Sequence, residues 1–442
     1  MGDRTFHGGV HPAEHKELSC KAPLVPYVPK GELVFLMNQH IGKPAAPIVQ
    51  KGDRVLAGQR IAEATGFVSA NIFSSVSGTV KAIEPRPTAA GPMAQAIVIT
   101  PDGENTLAEG IGTQTNYLDL TNQEILDRIK AAGIVGMGGA GFPTHVKLTV
   151  KNPNKIRYVI ANGAECEPYI TCDDQLMQAH AEEIVTGIEI ILRLFPQAHG
   201  VVCIENNKPD AIAAMKAACE GRGRISVMPM KTKYPQGGER SLISVVASRH
   251  LKLGMLPADA GCVVDNVASI RAVYRAVCLN EPLMERGVTV SGDSVKHPGN
   301  FWVKIGTSSR ELVDACGGWN EGLEPEKILS GGPMMGIPLV NLDVPICKNN
   351  NAITALSVDP VSAAPMTACL RCGRCNRVCP LGLSPQLMQV AAQHKDYERY
   401  EKRLYGLECI ACGCCTYICP AKRPLMQLFK VTKAEIMATK KR

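Results

Sequence analysis

Long apolar runs are missing from this sequence. The best candidate, Ile184 to Phe195, falls short of the about 18 residues a membrane helix needs, and Glu189 and Arg193 interrupt it. No bilayer-spanning helix is expected. Met1 to His15 carries His7, His11 and His15 but no apolar stretch, so no secretory leader and a cytoplasmic location are expected. Aromatic residues are only 5%, which excludes a core built on large rings. Glycine and proline are plentiful, 41 and 30 of 442 residues, and predict many tight turns and close backbone approaches. With 45% hydrophobic and 20% charged residues the chain is not a disordered one. A distributed basic face is lacking: the net charge is +7, yet residues 421–442 alone hold seven basic side chains and one acidic one. That placement argues against a nucleic-acid partner and fits a solvated tail or contact with an acidic partner or anionic lipid surface.

The length allows about three domains. Between Ile48 and Ile83, short β-branched runs are separated by Gly-Asp and Ser-Gly turns, which predicts a small β-barrel or sandwich. The stretch resembles the lipoyl/biotinyl-type hybrid fold, which presents a modified lysine on a hairpin. The equivalent turn here, Ser74 to Ser77, has no lysine, so a structural barrel within residues 1–115 is expected. Thr121 to Ala132 has helical apolar spacing, with Thr121 and Glu124 as a capping box. Strand-like runs at Tyr158 to Ala161, Gly200 to Ile204 and Ile225 to Met228 then alternate with helical stretches at Ala179 to Leu194 and Pro209 to Cys219. This is an α/β pattern, placed over residues 120–285. Short strands from Gly287 to Asp314 resemble the soluble-ligand-binding β-grasp module and are assigned to 286–350. A Ser, Ala and Pro-rich linker, Val358 to Ala364, leads into a cysteine-rich domain over 360–430 and a basic tail over 431–442.

Eighteen cysteines in a reducing compartment favour metal or redox chemistry over disulfides. Cys369, Cys372, Cys375 and Cys379 precede Pro380 in a C-x2-C-x2-C-x3-C-P run, and Cys409, Cys412, Cys415 and Cys419 precede Pro420 in a second run 40 residues later. In two-cluster ferredoxins the fourth cysteine of each run reaches the other cluster. One 4Fe-4S cluster is therefore assigned to Cys369, Cys372, Cys375 and Cys419, and the second to Cys409, Cys412, Cys415 and Cys379. Zinc is the competing reading, but a zinc ribbon requires neither eight ligands nor the two prolines. Cys414 is read as a bystander. Cys20, Cys203, Cys219, Cys262, Cys278, Cys316 and Cys347 stand singly in apolar contexts and are read as small hydrophobes.

The other dense motif is Gly136-Met137-Gly138-Gly139-Ala140-Gly141-Phe142-Pro143-Thr144, with Lys147 just beyond. Such a loop lets backbone N–H groups approach a phosphate or a flat ring, and Lys147 can neutralise phosphate charge. It follows a helix and not a strand, so it is not the usual dinucleotide fingerprint, and a plain tight turn is the competing reading. The loop resembles the glycine-rich motif of the NADH- and FMN-binding subunit of respiratory complex I. Asn162 to Pro168, Tyr234 to Glu239 and Val264 to Ser269 resemble three further segments of that family, with Ala164 in place of a usual acidic residue and Gly238 in place of Glu. The resemblance implies that Gly136, Gly138, Gly139, Gly141, Lys147, Asn162, Glu165, Asp265, Asn266 and Ser269 hold FMN. It also implies that Phe142, Glu167 and Glu239 face NAD(H).

The order of barrel, flavin domain, β-grasp and paired cluster runs resembles the RnfC family, the C components of the Rnf ion-translocating ferredoxin:NAD oxidoreductase complexes, over nearly the full chain. The fold class implied is multidomain α/β: a Rossmann-like FMN/NADH domain with a lipoyl-like barrel, a β-grasp module and a ferredoxin-like helical domain holding two 4Fe-4S clusters. The function implied is electron transfer between those clusters and NAD(H) through FMN, within a translocase that moves Na+ or H+. The implied partners are integral membrane subunits, an iron-sulfur subunit and, indirectly, ferredoxin, at the cytoplasmic face of the membrane. No general base is named, since hydride transfer between stacked rings depends on positioning. Two other readings stay open: a cluster-bearing adaptor without flavin, and a soluble NADH-dependent flavin dehydrogenase.

Overall fold

The computed structural model describes residues 4–252, 254–359 and 363–440. The predicted helix forms over Asn122–Ala131: Thr121 Oγ1 accepts from Glu124 N, and the Glu124 carboxylate accepts from Thr121 N, closing the capping box.

Upstream of it, a four-stranded antiparallel sheet runs in the order Leu33–Leu36, Met93–Pro101, Gly78–Pro87, Arg54–Val55. A three-stranded sheet of Ala46–Pro47, Arg60–Glu63 and Ile72–Phe73 accompanies it. Leu33, Phe35, Val55, Ile61, Ile72, Ile97 and Ile99 are fully buried in this unit. The Ser74 to Ser77 turn is buried as well, and Ser75 Oγ donates to Ile305 O at 2.6 Å. A carrier hairpin needs solvent around it, and this one is docked against a neighbouring domain.

The three predicted strands appear as Tyr158–Gly163, His199–Glu205 and Ile225–Met230, and a fourth, Cys262–Asn266, completes a parallel sheet. The order is Ile225–Met230, His199–Glu205, Tyr158–Gly163, Cys262–Asn266. Val159, Ile160, Val201, Val202, Val263 and Val264 are buried, as expected of strands covered on both faces. Helices Ala181–Leu194 and Val267–Leu279 pack together; a Cβ at Gly187 would lie 2.3 Å from Ile270 O, so glycine is required for this approach. Leu242 and Ile243 of helix Glu239–Val246 pack against Ile160, Val201 and Val264 in a separate core.

A six-stranded mixed sheet follows, in the order Leu24–Tyr27, Gly299–Lys304, Glu285–Ser291, Ala352–Leu356, Lys327–Ser330, Ile337–Pro338. Two of its strands come from outside the 286–350 segment in which the module is expected. Leu24–Tyr27 pairs in parallel with Gly299–Lys304, and Ala352–Leu356 lies at the centre between Glu285–Ser291 and Lys327–Ser330.

The cysteine-rich domain repeats itself. Short helices Arg374–Arg377 and Cys414–Tyr417 each follow a glycine with positive φ, Gly373 at 71° and Gly413 at 82°. Helices Pro385–Gln393 and Leu425–Thr439 enclose Met388, Tyr400, Leu425, Phe429 and Ile436. The expected basic tail over 431–442 needs correction. Through Thr439 it is helical, with Thr432 and Ile436 buried and Lys433 Nζ donating to Leu407 O at 2.8 Å. An apolar stripe spaced for a helix holds it down, and Lys430 and Lys440 are exposed. Residues 441–442, and residues 360–362 of the expected linker, lie outside the described residues.

Candidate functional site

Three of the four flavin-like segments leave the parallel sheet at one edge. Asn162 and Asn266 are register partners at the C-terminal ends of adjacent strands, and the Tyr234 to Glu239 segment follows Ile225–Met230. In open parallel α/β sheets, ligands bind at this edge. The fourth segment, the glycine-rich loop, is brought there by Ser269. Its Oγ accepts from Met137 N at 2.8 Å and donates to Val135 O at 3.0 Å. Gly136 N donates to Phe142 O at 2.8 Å, and Gly141 N to Gly136 O at 3.2 Å, closing the loop on itself.

The loop backbone, Lys147 and Asn266 converge. A Cβ on Gly138 would stand 3.3 Å from Asn266 Cβ, and one on Gly136 would stand 3.5 Å from Lys147 Nζ. Lys147 Nζ donates to Val264 O at 3.1 Å and to Asp265 Oδ1 at 3.4 Å. Asn266 caps its own helix by accepting from Ala268 N at 2.9 Å, and its Nδ2 donates to Asp173 Oδ2 at 2.6 Å. Burial lifts the Asp173 carboxyl above its ordinary range, against the pull of that hydrogen bond. Asn162 Nδ2 donates to Gly237 O at 2.9 Å, linking the second and third segments. Glu239 is exposed at the first turn of its helix, within reach of the charges of Lys147 and Asp265, and Phe142 is half-buried.

Two carboxylates expected at the ligands are engaged by the protein itself. Glu165, at φ 45°, accepts from Asp173 N at 2.6 Å and Asp174 N at 3.3 Å, capping helix Cys172–Ala179. Burial pushes its carboxyl up to about 8, while nearby Lys16 pulls it down. Glu167 accepts from Met334 N at 3.0 Å and Met335 N at 2.8 Å, so it is a joint to the loop 332–335 and not a free acceptor. Burial raises it to about 7, against those two amides. Both residues lie on a turn organised by Lys16, which sequence reasoning missed. Lys16 Nζ donates to the carbonyls of Glu165 (2.8 Å), Glu167 (3.1 Å) and Ile170 (2.5 Å). Nothing in the local pattern around Lys16 signals a contact with residues about 150 positions away.

The cluster cysteines gather in two cavities. One is lined by Cys369, Cys372, Cys375 and Cys419. The other is lined by Cys379, Cys409, Cys412 and Cys415. Each thus takes three cysteines of one run and the last of the other. Cys414 also lines the second cavity, but its thiol donates to Tyr234 O at 3.9 Å. Of the singly placed cysteines, Cys203, Cys262, Cys278 and Cys316 are buried, while Cys20, Cys219 and Cys347 are partly so.

The second cavity abuts the flavin-like segments. Tyr234 Oη donates to Cys412 O at 2.7 Å, a Cβ at Gly413 would lie 2.8 Å from Met334 O, and Arg240 pairs with Glu408 at 2.5 Å. The first cavity faces outward: Cys369 and Cys372 are exposed, with Arg371 and Arg374 of its lining exposed beside them.

The donor sets fit their groups. Four thiols per cavity are what a 4Fe-4S cluster requires. At the sheet edge, Asp265 Oδ2 and Thr144 Oγ1 are buried without a hydrogen-bond partner, and Gly136 and Gly138 leave open the space their side chains would fill.

Fold and site define a flavin and iron-sulfur electron-transfer protein. Residues 129–275 match the Nuo51 FMN-binding domain and residues 365–420 the 4Fe-4S dicluster domain. Residues 4–104 match the RnfC barrel sandwich hybrid domain, and residues 288–338 the SLBB domain. The chain is 44% identical to the C component of the proton-translocating ferredoxin:NAD(+) oxidoreductase complex of Clostridium ljungdahlii, over 99% of this chain and 95% of that one. It is 40% identical to the C component of the Na(+)-translocating ferredoxin:NAD(+) oxidoreductase complex of Acetobacterium woodii, over 99% and 98%. It belongs to the RnfC family, the C components of these ion-translocating oxidoreductase complexes. Among solved structures, a NAD+-reducing NiFe hydrogenase in the H2-reduced state superposes with a TM-score of 0.49 at 18% identity, over 73% of this chain and 62% of that one. No helix among the described residues is long and apolar enough to cross a membrane.

Proposed function

We propose that the chain is the NAD(H)-linked peripheral subunit of an ion-translocating ferredoxin:NAD+ oxidoreductase complex, passing electrons between two 4Fe-4S clusters and NAD(H) by way of FMN. The observation that carries this reading is the hydrogen bond from Tyr234, within a flavin-like segment, to the backbone of Cys412 in the inner cluster cavity. It makes the two sites neighbours. When bound, FMN exchanges two electrons as hydride with nicotinamide and single electrons with iron-sulfur clusters.

The protein's own residues supply positions. Lys147, beside Gly136, offers its ammonium to a phosphoryl group, and the Gly136 to Gly141 backbone admits a flat ring closely. Asp265, Asn266 and Asn162 offer polar atoms to FMN, while Phe142 and Glu239 are left for the dinucleotide. Ser269 and Glu165 support these groups through the backbone. The outer cavity, with its exposed arginines, is where an acidic electron carrier or an iron-sulfur subunit exchanges electrons. The domain bounds that accompany this reading are 1–115, 120–285, 286–350 and 360–430, with strands Leu24–Tyr27 and Ala352–Leu356 lent to the third. Rossmann-like, lipoyl-like, β-grasp and ferredoxin-like folds are the finer forms proposed for the four. Ion movement, and so the translocase class, falls to integral membrane partners, with this subunit at the cytoplasmic face of the membrane.

The test is an anaerobic NADH titration of the cluster-loaded chain supplied with FMN, read by flavin absorbance and cluster EPR in the same samples. Flavin bleaching followed by paramagnetic clusters is expected. Clusters without any flavin binding would instead make the chain an iron-sulfur adaptor.

A further inference from the structure

Arg286 and Lys348 are buried, with relative exposures of 1% and 0%, and neither forms an ion pair among the described residues. Both contact the path of the glycine-rich loop, Arg286 from strand Glu285–Ser291 and Lys348 from the segment that leads into strand Ala352–Leu356. Arg286 Nη2 donates to Met137 O at 3.2 Å, Nη1 to Lys348 O at 2.6 Å and Nε to Gly287 O at 3.1 Å. Lys348 Nζ donates to Gly133 O at 2.7 Å and Asn71 O at 2.5 Å. The next residue, Asn349, donates from Nδ2 to Gly139 O at 2.9 Å.

These contacts fix the orientation of peptide planes. In a planar trans peptide, the carbonyl of one residue and the N–H of the next point in opposite directions. With Met137 O held on Arg286, the Gly138 N–H is turned away from the buried guanidinium. With Gly139 O held on Asn349, the Ala140 N–H is turned away from that amide. Gly138, Gly139 and Ala140 are exposed, and their N–H groups make no hydrogen bond among the described residues. Three successive free donors, with the buried Arg286 and Lys348 side chains behind them, form a surface suited to an anion.

We propose that Arg286 and Asn349 are positioning residues that set two peptide planes of the glycine-rich loop, so that the N–H groups of Gly138 and Ala140, on either side of Gly139, receive a phosphoryl group. This rests on the flavin and nicotinamide reading above, and the phosphoryl group is that of FMN or the pyrophosphate of NADH. The mixed sheet then has a direct part in ligand binding, although none of its side chains need touch the ligand.

The test uses the cluster-loaded full chain freed of flavin, with Asn349→Asp and Arg286→Lys. A carboxylate cannot donate to Gly139 O, and lysine keeps the charge while losing the fork. Dissociation constants are measured for FMN, for riboflavin, which lacks the phosphate, and for NADH, with urea midpoints as the control for folding. For Asn349→Asp, about a tenfold loss of FMN affinity, ~1.4 kcal/mol, with riboflavin unchanged assigns the strip to the flavin phosphate. A similar loss confined to NADH assigns it to the dinucleotide, and either result supports the proposal. Equal losses for FMN and riboflavin with NADH unchanged, or no loss for any ligand, overturn it. Because Asn349 is only half-buried and its bond to Gly139 O is exposed, its variant decides the matter even if the buried Arg286→Lys fails to fold. A parent chain that binds neither FMN nor NADH overturns the underlying flavin reading, and the proposal with it.

Discussion

Lys16 Nζ stands 4.0 Å from the Glu165 carboxylate, and three main-chain carbonyls of the 165–170 turn hold its ammonium instead. Burial, and then the charge of Lys208, lower its pKa. Lys16→Met leaves those acceptors without their donor, so we expect a loss of about 3 kcal/mol of stability. A urea midpoint equal to the parent's would refute this role. Glu167 gives a pH-dependent case. Its carboxyl sits near 7, above the ordinary 4.5, so the folded state keeps a proton that the unfolded chain releases. The stability this contributes is full below about 4.5 and is lost as pH rises to about 7. Glu167→Gln, which cannot titrate, should flatten the fall in stability across that window; an unchanged slope would show that the carboxyl titrates normally. Residue types at the site were largely legible in the sequence, since Asp265, Asn266, Lys147 and Asn162 do converge. The engagement of Glu165 and Glu167 was not, because it depends on Lys16 and on Met334 and Met335, far away in the chain.

Elements bear out the local pattern where local chemistry suffices. The Thr121 and Glu124 capping box starts its helix, and the alternation of strands and helices from Tyr158 to Ala218 follows the apolar runs. Strand Cys262–Asn266 is not legible in the sequence because its apolar part, Cys262 to Val264, is too short to show a period before Asp265 and Asn266 end it. The helix at Leu425–Thr439 is masked in the sequence by its basic residues, which stand out more than the helical spacing of Leu425, Phe429 and Ile436. At this scale Gly133 is the sensitive position. It has φ 65°, and a Cβ there would lie 2.3 Å from Asn71 O and 2.9 Å from Lys348 Nζ, at the start of the glycine-rich loop. Gly133→Ala should cost about 1–3 kcal/mol through backbone strain alone, and more where the Lys348 contact is displaced. Thermal melts check the cost, and an unshifted melt would mean that the loop start relaxes freely.

On the scale of the whole molecule, the crossed ligand sets make each half of the cluster domain depend on the other. Cys419→Ser should remove or weaken the cluster of the outer cavity while leaving the inner one, and Cys379→Ser should do the reverse. Iron content and EPR of the two variants decide this; loss of the cluster in the mutated cysteine's own run would mean uncrossed ligation. Replacing Arg371 and Arg374 by Glu should slow electron exchange with acidic carriers by about tenfold or more at low salt, with the difference shrinking as salt rises. Stopped-flow kinetics over a salt series measures it, and flavin reduction by NADH should be unaffected.

The sequence by itself determined which chemistries are present. Thiol spacing within a dozen residues dictates a cubane site, and a glycine-rich loop dictates close backbone approach, because both are short-range constraints written in consecutive residues. Only the tertiary structure decided which cluster faces the flavin segments and which faces out. It also decided which carboxylates remain free and which distant cations hold the loop from behind. Those outcomes depend on how separately folded units pack: Tyr234 on Cys412, Glu167 on Met334, Arg286 on Met137. Contacts between residues about 150 or more apart leave no periodicity in the chain, since each partner satisfies its local pattern equally well without the other.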